Sequence, residues 1–229
     1  MSLTVNLAAV REEYLHRTTG GSSTLLRQVE TYSATHSGKM LRPQLTLLAA
    51  ATLGEEHLNS RRTLLAATCV EMLHNASLIH DDVIDDDRER RGQPSINARW
   101  NNKIAVLVGD YMLVQVMHLL DEMDDSEAAR MVNRTVNMMV EAELLALESA
   151  EPSKERYLRI IDGKTARLFA TACALGNPEY EAFGLHYGRL FQLRDDIADG
   201  ETTPWTEQLV EEENRALDAI KNKLPIQNN

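Results

Sequence analysis

Apolar residues recur at three- and four-residue steps along nearly all of this 229-residue chain, and that period is the signature of amphipathic α-helix. Glycine (11) and proline (6) are few and aromatic residues make up only 5%, so an all-β fold, with its many turns and aromatic strands, is disfavoured. The spacing predicts helices over residues 3–18 and 23–36, from Pro43 to about Leu53, and from a cap at Asn59 or Ser60 to about Asp86. Gly92-Gln93-Pro94 then breaks the chain. Residues 97–120 read as one helix, apolar on nearly every side (Ile104, Val106, Leu107, Val108, Met112, Leu113, Val116, Met117, Leu120), a pattern that belongs in the middle of a bundle. Further helices are expected from Asp125-Ser126 to about Ala150, Pro152-Ser153 to about Leu175, Asn177-Pro178 to about Asp199, and Thr203-Pro204 to about Asn222. No strand signal, linker or boundary is read, so the expectation is a single all-α domain over residues 1–229, a helical bundle around a central cavity.

Composition narrows the function. With 43% hydrophobic and 26% charged residues, disorder and collagen-like structure are excluded. The net charge of −11 disfavours nucleic-acid binding, which needs a basic face. Cys69 and Cys173 stand far apart in apolar helical contexts and read as reduced core thiols, which fits a cytoplasmic protein. No run of about 18 apolar residues predicts a membrane span, and the N-terminal residues lack the layout of a signal peptide.

One internal echo carries the chemistry. Asp81-Asp82-Val83-Ile84-Asp85 reappears as Asp195-Asp196-Ile197-Ala198-Asp199, each copy after an apolar helical stretch. In a helix, residues i and i+4 share a face about 6 Å apart, so Asp81 points with Asp85 and Asp195 with Asp199. Like charges at that spacing destabilise a helix, and divalent cations relieve them. All-oxygen ligands select hard ions, Mg²⁺ above all, which shares itself between carboxylates and phosphate oxygens. The implied substrate is a diphosphate or triphosphate. A solvated acidic helix end is the plain alternative for one copy; two matched copies on apolar helices argue against it.

Cations suited to phosphate flank these clusters: Lys39 and Arg42 at a helix start, Arg88, Arg90 and Arg91 after the first cluster, and Lys164 with Thr165 before the second. His74 lies seven residues before Asp81 on the same face, either as a core residue or as a phosphate contact. His80 reads as structural or orienting, and Met112, Met117, Met138 and Met139 as core filler.

These landmarks together resemble the trans-isoprenyl diphosphate synthases, or polyprenyl synthetases. The resemblance rests on Gly38 to Pro43, on Glu71 to Gly92, on Asn97 to Tyr111, on Gly163-Lys164-Thr165-Ala166 and on Phe191 to Asp199, all in the family's order. It implies an isoprenoid-synthase fold, a homodimer and a Mg²⁺-dependent condensation, with three ions when substrate is bound. An allylic diphosphate loses diphosphate, and isopentenyl diphosphate attacks the resulting cation. By motif position, Asp81, Asp82, Asp85, Asp195, Asp196 and Asp199 carry over as metal ligands. Lys39, Arg42, His74 and Arg91 carry over to isopentenyl diphosphate. Arg90, Lys164 and Gln192 carry over to the allylic substrate, with Thr165 nearby; Lys164, Thr165 and Gln192 are the expected catalytic group. Ala76 and Ser77, in place of the family's bulky blockers, imply a medium-to-long product.

The chain also departs from the family. The segment between Gly176 and Phe183 is short, and after Asp199 the usual loop lysines that close over phosphate are missing. Residues 213–225 resemble the family's C-terminal end, so the chain looks internally shortened. A weakly active or non-catalytic subunit of a hetero-oligomeric synthase is therefore an alternative. A class I terpene cyclase is disfavoured by Lys39, Arg42 and Arg91. A helical metal phosphohydrolase built on His80-Asp81 leaves the second aspartate cluster unexplained.

Overall fold

The structure is a computed structural model that describes residues 3–35 and 38–221. It is all-α apart from one small hairpin. The elements are α1 (Leu3–Thr19), α2 (Thr24–Thr35), α3 (Leu41–Ala51), α4 (Glu55–Leu58), α5 (Arg61–Ile84), β1 (Glu89–Arg90), β2 (Gln93–Pro94), α6 (Ile96–Arg99), α7 (Asn102–Met123), α8 (Ser126–Leu147), α9 (Lys154–Ile161), a π-turn (Asp162–Ala166), α10 (Arg167–Gly176), a 3₁₀ turn (Pro178–Tyr180), α11 (Glu181–Asp199) and α12 (Thr206–Lys221). Expected helix ends at His36 and Asn222, and the tail to Pro225, fall outside the described residues. The chain forms two compact units, Met1–Leu47 with Asn59–Asp125 and Leu48–Leu58 with Ser126–Asn229.

In the first unit α5 is the central rod, packed by α7 and α1. Ser60 starts it, its side chain accepting the Thr63 N–H at 3.1 Å. Leu65, Met72, Met112, Leu119 and Val10 are buried around it. The expected long helix over 97–120 is two helices. Trp100 leaves helical geometry, and Asn101, extended, caps α7 by accepting the Ile104 N–H at 3.0 Å. Nor is α7 enclosed all round within this unit. Val106, Leu107, Val114 and Met117 are 41–67% exposed, so Met117 is not core filler. By length and composition α7 could cross a membrane (mean hydropathy 1.5), contrary to the expectation of no such segment; core helices of soluble proteins meet the same criterion. The strand pair was not foreseen either. Arg91 and Gly92 both adopt positive φ (54° and 75°), which turns the chain in two residues and pairs Arg90 with Gln93.

In the second unit the expected continuous helix over 153–175 is interrupted. Ser153 caps α9 through the Arg156 N–H at 3.1 Å, and the π-turn then shifts the register before α10. Gly163 sits where a Cβ would lie 2.5 Å from the Met138 carbonyl oxygen and 2.4 Å from the Ala142 Cβ, so only glycine lets the turn press against α8. Ile161, Leu193 and Leu209 form a core cluster that joins α9, α11 and α12. Cys69 in the first unit and Cys173 in the second are unbridged and buried, and burial pushes both thiols up to about 12.

Candidate active site

In the first unit the last turns of α5 carry Asp81 and Asp82, and Asp85 closes the helix with its N–H on the Asp81 carbonyl at 2.8 Å. Asp82 is the buried member (4% exposed), whereas Asp85 is exposed. The hairpin folds Arg90 back so that its Nε donates to Asp82 Oδ1 at 2.8 Å, and a second guanidinium nitrogen reaches the same oxygen. Arg90 also reaches Asp87 Oδ2 at 3.3 Å. Asn97 of α6 fixes the corner by donating to the backbone oxygens of Asp82 (2.9 Å) and Asp87 (3.0 Å). Burial raises the Asp82 carboxyl; Arg90 opposes this, and Asp87 and Asp85 add repulsion.

Arg42 of α3 and Arg91 of the hairpin turn act on Glu71 and His74, further up α5. Arg42 is buried, and its guanidinium is lowered to about 10, chiefly by burial, with Glu71 resisting and Arg91 assisting. Burial likewise raises Glu71 against the pull of Arg42 and Arg91. His74 is held well below its ordinary value by burial and then by Arg42, Arg91 and Arg90, so its imidazole is neutral at pH 7. Arg91 lies over Gly38, where a Cβ would come within 2.6 Å of Nη2. Arg42, His74 and Arg91 thus lie close enough to act on one another electrostatically. Lys39 stands apart from them in character, exposed in the irregular residues ahead of α3. The His80 ring packs on Gly109 of α7, with Nε2 3.3 Å from the Val106 oxygen and 3.5 Å from Asp110 Oδ1.

The second unit repeats the plan with different partners. Asp196 is again the buried middle aspartate (9% exposed). Gln192 Nε2 donates to its Oδ1 at 2.7 Å, and the Tyr157 hydroxyl donates to its Oδ2. Thr165 on the π-turn donates to Gln192 Oε1 at 2.6 Å, which completes a chain Thr165–Gln192–Asp196–Tyr157. Asp195 and Asp199 are exposed, and the Asp195 carboxyl is raised by partial burial and by Asp199 and Asp196. Lys164 pairs with Glu143 at 2.9 Å. Single π-turns inside α-helices occur often at functional sites, and this one presents two of the expected catalytic residues.

Among the described residues, no three His, Cys, Asp or Glu side chains gather into an all-protein metal site. Mg²⁺ rarely needs one: one or two carboxylates suffice when water and substrate phosphate fill the other positions. Aspartates whose charges press on one another, as at Asp195, fit a cation completed by a diphosphate. Tyr157 and Glu143 were not singled out in the sequence, where nothing local marks them, and Asn97 stood there only as the start of a stretch that carries the resemblance. Glu71 does carry a signal, as a lone acid in an apolar helical run.

Residues 23–209 match the polyprenyl synthetase family model. The chain belongs to the polyprenyl synthetase family. It is 36% identical over 203 residues to an all-trans-nonaprenyl-diphosphate synthase (geranyl-diphosphate specific) of Rhodobacter capsulatus, covering 83% of this chain and 62% of that one. It is 34% identical over 207 residues to heptaprenyl diphosphate synthase component 2 of Bacillus subtilis, covering 85% and 59%. The chain thus spans about six-tenths of the length of these curated relatives. A polyprenyl synthase from Caulobacter crescentus, crystallised with calcium and isoprenyl diphosphate, matches at TM-score 0.81 and 28% identity over 97% of this chain and 73% of that one. These matches bear out the isoprenoid-synthase fold class.

Proposed function

We propose that this chain is a trans-prenyltransferase that condenses isopentenyl diphosphate with an allylic diphosphate to make a longer trans-polyprenyl diphosphate. One observation carries the reading: in both acidic motifs the middle aspartate is buried and anchored within its own unit, while the last aspartate of each stays exposed. Asp81, Asp82, Asp85, Asp195, Asp196 and Asp199 would hold three Mg²⁺ ions, and the bound ions supply charge neutralisation to the departing diphosphate. Arg42, Arg91 and neutral His74, with Lys39, grip isopentenyl diphosphate. Arg90 and Lys164 take the allylic diphosphate, each exchanging a carboxylate partner, Asp82 or Glu143, for phosphate. Thr165 and Gln192 offer neutral oxygen dipoles to the allylic cation without trapping it. The two buried thiols fit a cytoplasmic setting.

The test is incubation with Mg²⁺, radiolabelled isopentenyl diphosphate and dimethylallyl, farnesyl or geranylgeranyl diphosphate, with extraction of lipid. Product from any primer supports the reading. No product from any of them shifts the weight to a second reading, a subunit of a hetero-oligomeric synthase. The relative described as a synthase component favours that alternative.

The first unit supports two more expectations. The exposed apolar face of α7 suits a homodimer, so Leu107→Glu is expected to turn a sedimenting dimer into monomer; a wild-type monomer would refute the dimer. For chain length, Ala76 has no exposed surface, so a phenylalanine there must displace packed neighbours, whereas Ser77 is half-buried. Ser77→Phe is the cleaner test and is expected to shorten the product, read by chromatography of the dephosphorylated alcohols.

A further inference from the structure

We infer that Arg189 is a positioning residue of the allylic-diphosphate site, clamping the π-turn that presents Lys164 and Thr165 to the last helix, α12, through Asp162 and Glu213. Its substrate role rests on the transferase reading. The side chain of Arg189 on α11 grips Asp162 with two prongs, Nε to Oδ1 at 2.5 Å and Nη2 to Oδ2 at 2.7 Å. Its remaining nitrogen, Nη1, lies 3.3 Å from Oε1 of Glu213 on α12. Glu213 is only 4% exposed, and its other oxygen is 2.5 Å from His186 Nδ1. The clamp therefore runs from the turn, through α11, to α12.

Asp162 is where this matters. Its backbone oxygen accepts the Arg167 N–H, the five-residue hydrogen bond that makes the turn π rather than α. One residue thus holds the register with its main chain and the clamp with its side chain. A π-turn is rare and needs local compensation. The bare Gly163 allows it by close approach to α8, and the two-pronged ion pair secures its first residue. Relaxation to the α register would rotate the downstream residues by about 100° per residue removed. Thr165 would then leave Gln192, and Lys164 would point elsewhere. The reaction machinery is in this way sensitive to α12, a helix that carries none of the substrate-binding residues.

The test uses the full chain with Arg189→Gln, Asp162→Asn and Glu213→Gln. Glu213→Gln weakens the outer contact and the His186 contact while leaving the Asp162–Arg189 pair in place, and keeps the test open should Arg189→Gln unfold. Amide hydrogen exchange is expected to quicken at least tenfold at residues 166–168 in the variants, with α8 unchanged. In kinetics at saturating Mg²⁺, KM for farnesyl diphosphate is expected to rise about tenfold while KM for isopentenyl diphosphate stays within twofold. The Asp162→Asn/Arg189→Gln double variant should be no worse than either single one. Unchanged exchange at 166–168, faster exchange across the whole second unit, or an equal rise in both KM values would overturn the proposal. Wild-type chain without turnover would instead overturn the transferase reading and the substrate role with it, and the clamp itself would still be decided by exchange.

Discussion

Alanine at Asp195, or at Asp81, is expected to cut prenyl transfer by about 10³-fold while leaving the helical signal and melting temperature close to wild type. On the transferase reading proposed above, the loss would come from removing a carboxylate that would hold metal where diphosphate charge develops, a place where single electrostatic contacts are worth about 10²- to 10³-fold. Stability should hold because Asp195 is already pressed by Asp199 and Asp196, so its removal relieves repulsion. Asp196→Ala makes the contrast. It strips the acceptor from Gln192 and Tyr157 and should lower stability by about 1–3 kcal/mol besides removing activity. Turnover and thermal melts measured side by side separate the two cases, and an active Asp195→Ala protein would remove Asp195 from the site.

The second large effect concerns pH. Glu30 on α2 is fully buried, both of its carboxylate oxygens lack a hydrogen-bond partner, and burial lifts it from 4.5 to about 8. Its charge also weighs on the buried Tyr14 hydroxyl, which burial itself already raises. In the fold Glu30 keeps its proton up to about pH 8, whereas the unfolded chain gives it up near 4.5. The folded state therefore binds the extra proton between those values, and stability falls as pH rises through that window and levels off above it. At about 1.36 kcal/mol per unit the full swing reaches about 5 kcal/mol, an upper figure that structural relaxation reduces. Glu30→Gln lacks this slope. Its melting temperature should be equal to or slightly below wild type at pH 5 and clearly above it at pH 9. Parallel curves for the two proteins would disprove the assignment.

Much of this was legible because short-range rules govern it. Ser60, Ser153 and Asn177 cap where their side-chain oxygens predict. The repeated aspartate pattern marks both acidic faces because its spacing matches one helical turn. What stayed hidden depends on partners distant in the chain. The π-turn needs Gly163 against the backbone of α8 and Arg189 against Asp162, 27 residues apart. Tyr157 reaches Asp196 across 39 residues. The break at Trp100 and Asn101 was masked by the long apolar run that follows from Ile104, and the hairpin was missed because two-residue strands carry no period. Nothing local in the sequence marks Glu30 as a buried acid, because its burial comes from neighbours distant in the chain.

The unreactive state of Cys69 and Cys173 has a practical side. Maleimides and methanethiosulfonates attack thiolate, and thiols with no solvent access and so high a proton affinity will leave such reagents unconsumed. A cysteine introduced at any exposed position would take a fluorophore or spin label without background from the native pair, so ruler measurements between chosen points of this chain need no prior removal of its own sulfur.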